Sequence, residues 1–73
     1  MGRPQRFEHQ RYLGDKRIQV VYDLDNPPEG DVIDELVASE AFATFGPDTL
    51  VEASNRGYRA DDAALDAARS ESA

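Results

Sequence analysis

The densest group of side chains able to hold a cation is Asp23, Asp25, Asn26, Glu29 and Asp31. Oxygen ligands at such short spacing suit Ca2+ or Mg2+. A loop of the EF-hand type needs glycine at its sixth position and a bidentate glutamate at its twelfth. Counting from Asp23, those positions fall on Pro28 and Asp34, so the pattern fails. The group reads instead as the solvated end of a strand followed by a helix start, where carboxylates meet the positive end of the helix dipole. Neither a metal site nor a cofactor is expected.

Nucleophilic and acid–base chemistry find little more support. His9 is the single histidine, and in an extended stretch its neighbour Glu8 points to the opposite side. Ser39, Ser54, Ser70 and Ser72 lie in no nucleophile elbow and beside no evident base. A core framed by 73 residues hardly encloses a substrate pocket. The chain is therefore not expected to be an enzyme.

Arginine forks recognise phosphates and carboxylates. Arg56 and Arg59 flank Gly57-Tyr58, where the preferred assignment is to cations at a helix C-terminus, facing its negative dipole end. The stretch Thr49–Ala68 has the outline of a helix-turn-helix, but Asp61, Asp62 and Asp66 on its second helix would be repelled by phosphates.

Charge is distributed unevenly. Residues 1–20 carry Arg3, Arg6, Arg11, Lys16 and Arg17 against Glu8 and Asp15, a balance of +3. Residues 21–73 carry Arg56, Arg59 and Arg69 against thirteen carboxylates, −10, and the two parts sum to the net −7. A basic arm on an acidic body lacks the continuous positive surface that broad nucleic-acid binding requires. There is no cysteine, which excludes disulfides and thiolate metal sites. No apolar run resembles a signal peptide or approaches a membrane span, so a cytoplasmic protein without membrane contact is expected.

The elements that would position these groups form a small α+β domain. Residues 1–8 are expected as a flexible basic arm, 9–60 as the core domain, and 61–73 as a marginal helix with a frayed acidic tail. Ile18, Val20, Tyr22 and Leu24 alternate with Arg17, Gln19, Val21, Asp23 and Asp25, a strand signal. With Tyr12-Leu13 and a turn at Gly14-Asp15-Lys16, it predicts a hairpin over residues 10–24. Asn26-Pro27-Pro28-Glu29-Gly30 ends the second strand, since proline cannot donate to a ladder.

Asp31 is the expected N-cap of a helix to Ser39, with Val32, Ile33, Leu36 and Val37 on its apolar face. Residues 41–45, with Phe42 and Phe45, predict a third strand ended by Gly46-Pro47. Thr49 and Glu52 have capping-box spacing at the start of a second helix, and Gly57-Tyr58 predicts its Schellman close. Asp61 could cap a third helix whose apolar stripe rests on Leu65 alone.

The order Val20-Val21-Tyr22, Val32-Ile33, Phe42–Phe45, Leu50–Ala53 and Gly57-Tyr58-Arg59 resembles, over residues 18–60, the small zinc domain at the N-terminus of Ada DNA-repair proteins. The resemblance implies a strand–loop–helix, strand–helix scaffold. The family's cysteine pairs are missing here: Ala60-Asp61-Asp62-Ala63 follows Arg59, and Pro27–Asp31 holds no thiol. Zinc and methyl-acceptor chemistry therefore do not carry over, and the kinship implies a metal-free descendant held by apolar packing. In general character the chain also resembles short conserved proteins of actinobacteria and their phages.

The leading expectation is a non-catalytic protein-interaction module, a small regulator or inhibitor whose acidic surface, Asp23, Asp25, Glu29, Asp31, Asp34 and Glu35, meets a basic patch on a larger protein. The alternative is nucleic-acid binding through Arg3, Arg6, Arg11, Lys16 and Arg17, assisted by Arg56 and Arg59. A third is a structural subunit, monomeric or weakly dimeric, that pairs through the short edge strand at Phe42–Phe45.

Overall fold

The computed structural model describes residues 9–72; the expected basic arm, with Arg3 and Arg6, lies outside them. Seven elements follow one another: β1 (Tyr12–Asp15), β2 (Val20–Asp23), α1 (Val32–Ser39), β3 (Phe42–Ala43), α2 (Leu50–Asn55), β4 (Arg59–Ala60) and α3 (Asp62–Ser72). The strands form one mixed sheet in the order β3-β1-β2-β4. β1 runs antiparallel to β2 and β3, while β4 lies parallel to β2. The α+β class expected from the sequence is the one observed.

The hairpin forms, but its turn lies later than the composition suggests. Gly14 and Asp15 belong to β1, opposite Val21 and Val20, and residues 16–19 turn. Gln19 takes a positive φ of 54°, the conformation the spacing assigned to a glycine. Ile18, expected in the strand, stands in this turn and is exposed.

Both faces of the hairpin are covered. Leu13, Val20, Tyr22 and Leu24 pack with Ile33 and Leu36 of α1. On the other face, Tyr12 and Val21 pack with Phe45 and Ala53, joined by Leu50 and Tyr58. Period-two alternation thus sorts side chains between two cores, rather than between core and solvent. The two crossovers explain this arrangement: β2–α1–β3 reaches one sheet edge and β3–α2–β4 returns to the other.

Helix ends follow side-chain and backbone capping. The Thr49 side chain accepts from Glu52 N–H at 3.1 Å, but the box closes only halfway: the Glu52 carboxylate takes the Arg56 guanidinium at 2.6 Å, and the Pro47 carbonyl accepts from Thr49 N–H. Gly57, with φ +89°, and Tyr58 donate to the Ser54 and Ala53 carbonyls, completing the expected Schellman close.

The expected C-terminal helix is present as α3. α3 runs eleven residues to Ser72, packs against β2 and β4, and buries Ala64 fully. The Asp61 carboxylate caps it by accepting from Ala64 N–H at 3.0 Å. The 11.2 Å radius of gyration matches the ~11 Å of a compact chain this long, so α3 is folded onto the sheet. β4, which the sequence did not announce, separates α2 from α3 and removes the helix-turn-helix outline.

Candidate functional site

The acidic stretch divides at Asp23. This residue, placed with the contact surface on sequence grounds, is fully buried. Arg11 Nε and Nη2 donate to its two oxygens at 3.2 and 3.0 Å, and Asp25 N–H and the Asn26 amide add two more bonds. Asp23 therefore ties the start of β1 to the end of β2 and is removed from the acidic surface. The cross-strand Arg11 that holds it lies twelve residues away, so its own neighbours in sequence do not reveal this role. Asp25 is half exposed and stands 3.6 Å from Arg11 Nε.

Glu29, Asp31, Asp34 and Glu35 are exposed. Ile33 and Leu36 turn the apolar side of α1 to the sheet, which leaves Asp34 and Glu35 on its outer side. Asp31 occupies the N-cap position without a side-chain capping bond, so its carboxylate is not consumed by the helix. Most other described carboxylates are engaged. Asp15 binds Arg17, Asp48 accepts the Arg11 and Tyr12 N–H groups, Glu52 binds Arg56, Asp61 caps α3, and Asp66 pairs with Arg69. Those with no hydrogen bond or ion pair are Glu29, Asp31, Asp34, Glu35, Glu40 and Asp62, and four of the six fall on one loop and helix face.

A cleft of ≈ 160 Å³ opens on this face. Leu24 and Ile33 line it with Pro27 and Pro28, and the acidic residues Glu29 and Asp34 complete the lining with Gly30. β2 ends earlier than the prolines, at Asp23, where Asn26 N–H closes a turn on the Asp23 carbonyl, and Pro27 and Pro28 stand in the loop that leads to α1.

The cations expected on nucleic acid are largely committed elsewhere. Arg11 is spent on Asp23 and Asp25 and lies 5.2 Å over the Tyr12 ring. Arg17 donates through Nε and Nη2 to Asp15, which holds the Asp15 carboxyl below its ordinary value despite burial. Arg56 is the C-cap of α2 and pairs with Glu52 one turn back. Lys16 and Arg59 are exposed.

Among the described residues no three histidine or acidic side chains converge as a metal cage. Where the zinc-domain resemblance would place a cysteine pair, residues 60–63 instead form the end of β4 and the capped start of α3. Ser39 Oγ is occupied by the end of α1, donating to the Leu36 carbonyl and accepting from Ala41 N–H. At the sheet edge, Phe42 and Ala43 form β3 while Phe45 is buried in the second core, so the pairing edge expected at 42–45 shortens to two residues. No described helix is long and apolar enough to cross a membrane. No family model, curated protein or solved structure matches the chain, so the role of its acidic face has to follow from its own chemistry.

Proposed function

We propose that this protein is a non-catalytic, cytoplasmic protein-binding module, a small regulator or inhibitor that engages a basic patch on a larger protein through Asp25, Glu29, Asp31, Asp34 and Glu35. The observation that carries this reading is the concentration of exposed carboxylates without a hydrogen bond or close ion pair on the loop before α1 and the outer face of that helix, while carboxylates elsewhere are mostly tied into the fold. Four adjacent negative charges repel one another and are only partly relieved by solvent; a cationic partner relieves them and is steered toward them.

The test is affinity capture from native cytoplasm, comparing wild type with a variant carrying Glu29→Gln, Asp31→Asn, Asp34→Asn and Glu35→Gln. Since all four side chains are exposed, the variant is expected to keep the wild-type Tm within a few degrees. Its captured partner should be lost, while His9→Ala retains it. Capture that is indifferent to the four substitutions overturns the proposal.

A further inference from the structure

The acidic face carries a shaped feature, and its dimensions limit what can occupy it. At ≈ 160 Å³ the cleft beside Pro27 and Pro28 is smaller than the ~300–1,000 Å³ of small-molecule sites. It suits one side chain. Its apolar surface comes from Leu24 and Ile33, both nearly buried, and from the two proline rings. Its charged groups are Glu29 and Asp34, which have no other hydrogen bond or ion pair. A Cβ built on Gly30, which also lines the cleft, would meet nothing within 4 Å, so a chain can approach over it without obstruction.

An apolar surface bordered by unpaired carboxylates complements one kind of side chain. An aliphatic residue would fill the surface and leave both carboxylates unanswered. An acidic one would be repelled. Arginine and lysine carry an apolar stem that lies on hydrophobic surface and a cationic head that stays at the polar margin. The head would form charge-assisted hydrogen bonds with the carboxylates, bidentate for a guanidinium.

We infer that the cleft is the seat of one basic side chain, arginine or lysine, from the protein partner, with its stem against Leu24, Pro27 and Ile33 and its cation facing Glu29 and Asp34. This inference rests on the reading of the acidic face as a protein-binding surface and narrows it to an anchor residue. The remaining carboxylates, Asp31 and Glu35, act on encounter and orientation rather than on the anchor itself.

The experiment is an NMR titration of the uniformly 15N-labelled full chain with four N-acetylated, C-amidated tripeptides, Gly-X-Gly, where X is arginine, lysine, norleucine or glutamate. The arginine and lysine peptides are expected to shift the amides of Gly30, Ile33 and Asp34 saturably. Norleucine and glutamate peptides should bind at least roughly fivefold more weakly, the scale of two exposed ion pairs. Combining Glu29→Gln with Asp34→Asn should weaken the arginine peptide by a similar factor, about fivefold, whereas Asp31→Asn with Glu35→Gln changes it by less than about twofold.

Norleucine binding as tightly as lysine would overturn the inference, because the cleft would then select apolar bulk alone. Shifts spread equally over Glu40 and Asp62, with both double variants equally weakened, would also overturn it, showing diffuse attraction without a seat. If the tripeptides fail while partner capture still depends on the four carboxylates, the anchor falls and the binding face stands. If capture is indifferent while the basic tripeptides still saturate the cleft, the partner reading falls and takes the anchor role with it, leaving only the cleft's selectivity for a basic side chain.

Discussion

A Cβ added to Gly14 would lie 2.8 Å from Tyr58 Cε2 and 2.9 Å from Phe45 Cζ. Gly14 sits inside β1, so its role is to leave room for two rings rather than to make a turn. Those rings meet edge to face, with centroids 5.2 Å apart and planes at 81°, and cover the sheet beside Val21 and Ala53. Tyr58 is delivered there by the Schellman close of α2. One missing methyl group thus lets the end of α2 dock on the hairpin.

Gly14→Ala is expected to destabilise the fold by ~1–3 kcal/mol through overpacking. Combining it with Tyr58→Leu should cost less than the sum of the two single changes, because both act on one contact. Urea denaturation of the four proteins in the cycle measures this. Strict additivity would show that Gly14 is not held small by the tyrosine.

Asp23→Ala should cost about 1–3 kcal/mol, because it removes the buried acceptor shared by the Arg11 guanidinium, the Asp25 N–H and the Asn26 amide. Asp25→Ala, which removes a half-exposed carboxylate from the same arginine, should stay within ~0.5 kcal/mol. Chemical denaturation of the two variants compares them directly. Similar losses at both positions would mean that Asp23 is not the hub of the hairpin's open end.

These two residues also show where sequence reasoning reached and where it stopped. Val20, Tyr22 and Leu24 announced their shared face by alternation, and Thr49 and Gly57 announced the ends of α2 by local capping chemistry. Gly14 and Asp23 carry signals that point the wrong way. A glycine before Asp-Lys has turn composition, and an aspartate among acids has surface composition, yet both are fixed by side chains that are distant in sequence. Gln19 carries the positive φ that composition had assigned nearby, while β4 is two residues long and has no periodicity to detect. The exposed carboxylates of α1 were legible because its apolar spacing defines the opposite face. The cleft was not, because it exists only where the proline loop meets Ile33.

Gly57 occupies a backbone conformation with φ +89°, open to glycine and strained for residues with a Cβ. A Cβ there would find its nearest neighbour, Gln19 Nε2, at 3.7 Å, so space is not the obstacle. Gly57→Ala is expected to cost about 1–2 kcal/mol from backbone strain alone. A thermal melt should show the drop without loss of cooperativity. An unchanged Tm would show that the close of α2 adapts without its glycine.

The pair Asp15 and Arg17 gives stability a dependence on acid. Side-chain hydrogen bonds from Arg17 hold the Asp15 carboxyl below its ordinary value, against burial, which raises it. A carboxyl depressed in the folded state stabilises above its unfolded pKa, near 3.8, and loses that contribution as pH falls through the lower folded value. Arg17→Met should therefore lose stability at neutral pH, and the gap to wild type should close in strong acid. Denaturation midpoints between pH 2 and 7, an approximate span around the usual carboxylate range, follow the convergence. A gap that stays constant with pH would assign the effect of Arg17 to packing.

Asp61 behaves with the opposite sign. Burial raises its carboxyl above the ordinary value, and the neighbouring Asp62 adds to this, while the Ala64 N–H that it caps works against both. With the folded pKa above the unfolded one, Asp61 favours folding most at pH below the unfolded value, and that contribution is lost as pH rises through the folded value. Charge at this position is therefore a burden on the folded state at neutral pH, although the cap itself is favourable. Asp61→Asn keeps an oxygen for the Ala64 N–H and removes the charge. It should raise stability at pH 7, with the difference from wild type shrinking as pH falls below the ordinary carboxylate range, whereas Asp61→Ala, which discards the cap, should lose about 1 kcal/mol. Paired denaturation curves for both variants at acidic and neutral pH separate the two contributions. If Asp61→Asn destabilises at neutral pH as much as Asp61→Ala does, the negative charge itself holds the start of α3 through the helix dipole, and burial is the lesser influence.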